Sequence, residues 1–156
     1  MVPKTQNEQQ ETMNKKLNIL YLCTGNSCRS QMAEGWTNHL KGDLINCKSA
    51  GIETHGLNPM AVKAMAEAGV DIAHHQSQRV DELIDEPWDF VITVCGHAHE
   101  TCPIFPGKAN VMHVGFDDPP ALAKEESTQE GAMAHYRRVR DEIRAFIESL
   151  PESLQK

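Results

Sequence analysis

The chain has 156 residues, with 15 Lys plus Arg against 22 Asp plus Glu, a formal charge of −7 at neutral pH. That length supports one domain. Its 40% apolar content is enough for a core, which must be built from Leu, Ile, Val, Met and Ala because aromatic residues make up only 5%. The acidic balance speaks against nucleic acid or an anionic membrane as partner, no apolar run reaches the roughly 18 residues of a spanning helix, and the polar N-terminus carries no apolar signal segment.

Residues 1–16 are polar and aperiodic and read as a disordered tail, leaving 17–156 as the folded domain. Leu17 to Leu22 (LNILYL) is an apolar run of buried-strand length. A loop of small residues follows, then a helix from Gln31 to Leu40 with Met32, Trp36 and Leu40 on one face, stopped by Gly42. Leu44–Ala50 is a weaker strand. Asn58-Pro59 is a cap with Pro at the first helical position, and its helix runs to about Ala68 with Val62, Met65 and Ala66 inward. A helical turn is expected near Val80–Ile84, and strands at Phe90–Val94 and Asn110–Val114. Thr128–Leu150 is a long amphipathic helix with Tyr136, Val139, Ile143, Phe146, Ile147 and Leu150 spaced three or four apart, ended by Pro151. Alternating strands and helices predict an α/β domain with a parallel four-stranded sheet flanked by helices.

Five cysteines (23, 28, 47, 95 and 102) are an odd count that fits a reducing cytoplasm better than a secreted disulfide scaffold. Cys23 ends the first strand, where open parallel sheets bind ligands. Thr24, Gly25, Asn26, Ser27 and Cys28 are small or polar enough for successive backbone N–H groups to turn inward as an anion nest. The following helix adds the positive end of its dipole, and Arg29 offers a two-pronged fork to a tetrahedral oxyanion. The same features favour a thiolate at Cys23, and Ser30 is placed to hydrogen-bond it. The loop therefore joins a nucleophile to an oxyanion clamp. Cys28 reads as a packing thiol and Cys47 as core. His39, His55, His74, His75 and His135 have no predicted partner, and the arginines of the last helix read as a solvated face.

Cys23-x5-Arg29-Ser30 resembles the signature of low-molecular-weight protein tyrosine phosphatases, which supply a general acid from an Asp-Pro pair near the C-terminus. Asp118-Pro119 matches that place. Without the resemblance, Asp117-Asp118-Pro119-Pro120 is a polar turn. Phosphate transfer moves no electrons and needs one thiol, yet Cys95 ends the Phe90–Val94 strand at the same sheet rim as Cys23, and Cys102 follows. Reduction of a bound oxyanion would use a second thiol to release product as a disulfide forms. The segment Cys95-x-His97-x-His99-x2-Cys102, with His113 nearby, also offers zinc ligands, though the spacing departs from paired zinc motifs.

The stretches CTGNSCRSQMAEGW, SAGIETHGLNPMAVKAM, VITVCGHAHETCP and VGFDDPP resemble the thioredoxin-coupled arsenate reductases, which have the low-molecular-weight phosphatase fold. The resemblance implies that Cys23 attacks arsenate held by the loop and Arg29, Asp118 protonates the departing oxygen, Cys95 attacks Cys23 as arsenite leaves, and Cys102 takes over the disulfide for thioredoxin to reduce. A glutaredoxin or mycothiol route is the alternative. The resemblance further implies a cytoplasmic monomer, residual phosphatase activity, no tightly bound cofactor, and a potassium site at Asn26, Glu34, Ser49 and a fourth position. The fourth is usually Asp and is here Gln78, so weak potassium dependence is expected. If Cys95–Cys102 were helical, seven rises of ~1.5 Å would separate their Cα atoms by about 10 Å. A disulfide needs roughly 7 Å or less, so oxidation is expected to unwind the segment.

Overall fold

The structure is a computed structural model that describes residues 16–100, 105 and 109–155. The predicted tail lies outside the described residues, apart from Lys16. Four strands form one parallel sheet in the order β2-β1-β3-β4: β1 Leu17–Cys23, β2 Ile45–Gly51, β3 Phe90–Thr93 and β4 Asn110–His113. Helices are α1 Arg29–Lys41, α2 Pro59–Glu67, α3 Gly96–Glu100, α4 Pro119–Ala123 and α5 Gln129–Glu148, with 3-10 turns at Val80–Glu82 and Glu152–Gln155. None is long and apolar enough to cross a membrane.

Strand β1 lies between β2 and β3, so the chain steps outward one way for β2 and the other way for β3. Such a reversal opens a crevice beyond the carboxyl ends of the central strands. Leu22 pairs with Thr93, which brings the ends of β1 and β3 level and sets Cys23 and Cys95 on the same rim. The sheet's register thus selects which cysteines can meet.

Ile19, Leu20, Tyr21 and Leu22 are wholly buried, as the unbroken apolar run requires of a central parallel strand. Over them pack Met32 and Trp36 of α1 and Met133, Tyr136, Val139, Ile143 and Ile147 of α5. The Trp36 indole N–H donates to the Arg140 carbonyl (3.1 Å), which satisfies the polar atom of a buried ring. Thr128 caps α5 by accepting from Gly131 N (3.0 Å). Phe146 lies on the flank of that face against Phe116, ring centroids 6.3 Å apart.

Two expectations need correction. In α2 the inward residues are Ala61, Ala64 and Met65, and Ala66 is exposed. The Asn58 cap sets the phase by accepting from Met60 N and Ala61 N, which turns Ala66 outward. Helix α1 begins at Arg29, two residues before the predicted start, so its first turn abuts the small-residue loop.

Candidate active site

The loop between β1 and α1 is held from outside. Its carbonyls accept in turn from Ile52 N to Cys23 O (3.2 Å), Glu53 N to Thr24 O (2.9 Å), His55 N to Gly25 O (2.9 Å) and Asn58 N to Ser27 O (3.0 Å). Ser77 Oγ also donates to Gly25 O, and Gln31 Nε2 donates to Asn26 O. In a trans peptide the carbonyl and the next amide point opposite ways. Carbonyls drawn outward therefore turn the N–H groups of the loop inward. Asn26 takes the left-handed backbone this bend requires (φ 49°), a conformation Asn tolerates better than most residues. No side chain caps α1, whose first turn faces the same centre.

Cys23 sits in this cradle, only 4% exposed, with its sulfur 2.8 Å from Ser30 Oγ. The Asn26 amide donates to Ser30 Oγ (2.9 Å) and fixes that hydroxyl. Arg29 spans the loop and the opposite wall: Nη1 donates to Phe116 O (3.0 Å) and Nη2 lies 3.6 Å from Asp118 Oδ1. Asp118 precedes Pro119, the first residue of α4, and makes no capping hydrogen bond there, so its half-exposed carboxylate is left for the cleft. The cleft holds about 460 Å³ and is lined by residues 23–25, 27–29, 55–59, 118 and 120, with no Phe, Tyr or Trp among its described residues. A hollow of about 490 Å³ near Asn18, Asn46 and Trp88 lies at the opposite ends of the strands, away from Cys23 and its loop.

Cys95 follows β3 and is buried, its sulfur 3.2 Å from Thr24 Oγ1 and accepting from Ala98 N (3.4 Å) in the first turn of α3. Thr24 of the loop after β1 thus touches a second thiol at the rim. Cys102 and the side chains of His97 and His99 lie outside the described residues. His113 Nδ1 lies 2.9 Å from Thr93 Oγ1. Among the described residues no group of three metal-ligating side chains converges. Cys28 is buried, and burial, followed by the neighbouring Cys23 charge, pushes its thiol far up, which suits packing and not attack. Cys47 is only half-buried on β2. Its thiol donates toward Glu34 O and Asn38 Oδ1, and burial, then Glu34, pushes it up as well.

Asn26, Glu34, Ser49 and Gln78 do meet, behind the loop. Their oxygens already accept from within: Asn26 Oδ1 from Gln78 N (2.8 Å), Ser49 O from Gln78 Nε2 (3.0 Å) and Glu34 Oε1 from Ser49 Oγ (2.8 Å). Glu34 Oε2 lies 3.4 Å from His75 Nδ1. Gln78, at the fourth position of the potassium set that the resemblance implies, thus turns its amide N–H toward the Ser49 carbonyl.

Sequence reasoning missed the partners of three histidines. His75 is buried against Gln31 and Glu34, and burial lowers its imidazole below the usual range more than Glu34 raises it. His135 pairs with Glu126. His55 pairs with Glu53 and lies over Gly25 at the cleft mouth. The signal available for His55 was its place in the small-residue run after β2, level with the end of β1.

The chain is 52% identical to an arsenate reductase of Halalkalibacterium halodurans over 141 residues, 90% of this chain and 99% of that protein. A solved arsenate reductase in its oxidized state superposes with a TM-score of 0.72 at 26% identity, covering 88% of this chain and 98% of the other. A thioredoxin-dependent arsenate reductase of Corynebacterium glutamicum gives 0.67 at 25% identity, over 94% and 66% of the two chains. Residues 18–156 match the family described as low molecular weight phosphotyrosine protein phosphatase, and with the loop, the sheet order and these relatives in agreement, the chain belongs to that family.

Proposed function

We propose that this protein is an arsenate reductase working through a three-cysteine relay. The carrying observation is the second thiol at the rim, Cys95 against Thr24 of the oxyanion loop, which a hydrolytic phosphatase does not need. The relatives named arsenate reductase support the substrate. The Cys23 thiolate attacks the arsenic of arsenate held by the loop amides and Arg29. An As–O bond breaks and Asp118 supplies the proton with which the oxygen leaves as water. The Cys95 thiolate then attacks Cys23 Sγ. The S–As bond breaks with its electron pair left on arsenic, so As(V) becomes As(III) while two thiolates become one disulfide. Cys102 attacks Cys95, returning Cys23 as thiolate, and an external dithiol reduces the Cys95–Cys102 bond.

The dithiol proposed is thioredoxin, in keeping with the C. glutamicum neighbour. The protein works as a cytoplasmic monomer, with weak phosphatase activity as a by-product of the shared loop and with no tightly bound cofactor. Arsenate-dependent NADPH oxidation with thioredoxin and its reductase is expected to be sustained. Turnover only with glutaredoxin or mycothiol components would reassign the reductant. Aryl phosphate hydrolysis with no arsenite from any reductant would make the protein a phosphatase, a reading the lack of an aromatic wall in the described cleft disfavours.

Because internal donors fill the places of a cation, replacing potassium by a bulky quaternary ammonium ion at constant ionic strength is expected to change arsenate turnover less than about twofold. Gln78→Asp removes the N–H donor and adds a carboxylate beside Ser49 O. It is expected to lower turnover without potassium and recover it with potassium. Strong stimulation of the unmodified protein by potassium would overturn this.

A further inference from the structure

Arg29 Nη2 lies 3.6 Å from the Asp118 carboxylate, beyond hydrogen-bond reach, so the segment that carries Asp118 must also hold it in place. Gly115–Asp118 belongs to no strand or helix, and the aspartate's carboxylate makes no bond to the helix it precedes. The segment is gripped from two sides. On one, Phe116 N donates to Val94 O (3.2 Å) and Phe116 O accepts from Arg29. On the other, the neighbouring Asp117 accepts from Arg138 Nη2 (3.1 Å) on α5. Arg138 Nη1 is in turn held by Glu142 one turn further along α5 (3.1 Å). Helix α5 packs against both α1, which carries Arg29, and α4, which Asp118 opens. The two arginines therefore rise from packed helices and close on successive residues of the segment bearing the acid.

Resting on the function proposed above, we infer that Arg138 is a positioning residue. By fixing Asp117 through an ion pair, it aims the Asp118 carboxylate into the cleft. An exposed pair of this kind adds little to global stability. Its effect is on orientation: a general acid displaced by an ångström loses part of a contribution worth about 10²–10⁴ in rate. Among the described residues the hydrogen bonds of the Arg138 guanidinium run to Asp117 and Glu142, neither of which lines the cleft, so its effect is expected on the rate of the step and not on substrate affinity.

The test is single-turnover arsenate reduction by the reduced full chain in excess, reading arsenite formed. Arg138→Ala and Asp117→Asn are each expected to slow the step about fivefold, with the double variant no slower than either alone, because one interaction is lost in all three. The protein concentration for half-maximal single-turnover rate and the thermal midpoint should stay near those of the unmodified chain. Arg138→Lys is expected to recover most of the rate. In an Asp118→Asn background, Arg138→Ala should add nothing. A rate within twofold of normal for both Arg138→Ala and Asp117→Asn, with Asp118→Asn slow, would overturn the inference alone, and so would an undiminished Arg138→Ala effect in the Asp118→Asn background. A normal rate for Asp118→Asn would instead remove Asp118 as the acid, and the positioning role with it. Should Arg138→Ala not fold, the Asp117→Asn and Arg138→Lys arms decide by the same criteria.

Discussion

Cys95→Ser is expected to release no arsenite, and Cys102→Ser to release one arsenite per chain and then stall. Both expectations follow from where the electron pair goes. Arsenic held on Cys23 Sγ keeps its +5 state until a second sulfur takes Cys23 Sγ and leaves the S–As pair behind. A serine hydroxyl at position 95 cannot do this, because it is a far weaker nucleophile than a thiolate and forms no stable S–O product. The proposed relay gives that duty to Cys95, whose sulfur touches Thr24 of the loop and accepts the Ala98 amide. Cys28 lies in the loop itself, yet burial suppresses its ionisation. In Cys102→Ser the first disulfide forms, arsenite departs, and Cys23 stays locked to Cys95 with no thiol to free it. Counting arsenite per chain after mixing reduced protein with excess arsenate checks both. Thiol titration should find two thiols lost in Cys102→Ser and none in Cys95→Ser. One equivalent of arsenite from Cys95→Ser would show that another sulfur resolves the adduct. Undiminished turnover of Cys102→Ser with thioredoxin would end the relay at Cys95.

Features set by neighbouring residues were legible in the sequence. The run LNILYL is a strand buried on both faces, Asn58-Pro59 starts a helix, and the spacing of Tyr136, Val139, Ile143 and Ile147 draws the buried stripe of α5. Cys23 and Arg29 could be placed around one loop because strand, small residues and helix follow in direct order. What could not be read is the outer support of that loop. Four amides between Ile52 and Asn58 and the Ser77 hydroxyl hold its carbonyls, and backbone bonds across such separations leave no local pattern. The Arg29–Phe116 and Arg138–Asp117 contacts have the same origin, since they depend on how α1 and α5 pack and not on the residues beside them. The phase of α2 was missed for a smaller reason. Alternating small residues such as Ala64 and Ala66 carry too little hydrophobic contrast to fix a helix face, so the cap decides it.

Gly51→Ala is expected to cost about 3 kcal/mol of stability, at the upper end of what an overpacked methyl costs, and to abolish oxyanion binding with it. Gly51 closes β2 opposite Cys23, where the outer support and the loop come nearest. A Cβ there would lie 2.3 Å from Glu53 O, 2.8 Å from Asn26 N and 2.8 Å from Thr24 O. All three are backbone atoms, so no side chain can swing aside. Relief must come from moving the loop away from the segment that orients its carbonyls, which also turns its amides from the anion. Gly25→Ala is the informative contrast. Its Cβ would come within 2.2 Å of His55 Nδ1, a closer clash on paper, but that ring is half exposed and can rotate out. Its cost is expected to be about 1 kcal/mol, and His55→Ala in the same chain should recover most of it. Thermal denaturation with and without phosphate reads both quantities. For a domain of this size, 3 kcal/mol corresponds to a midpoint lower by about 6–12 °C. Phosphate should raise the midpoint of the unmodified chain and leave that of Gly51→Ala unmoved. A Gly51→Ala protein within about 0.5 kcal/mol of normal and still stabilised by phosphate would mean that the loop keeps its inward amides without the support from residues 52–58.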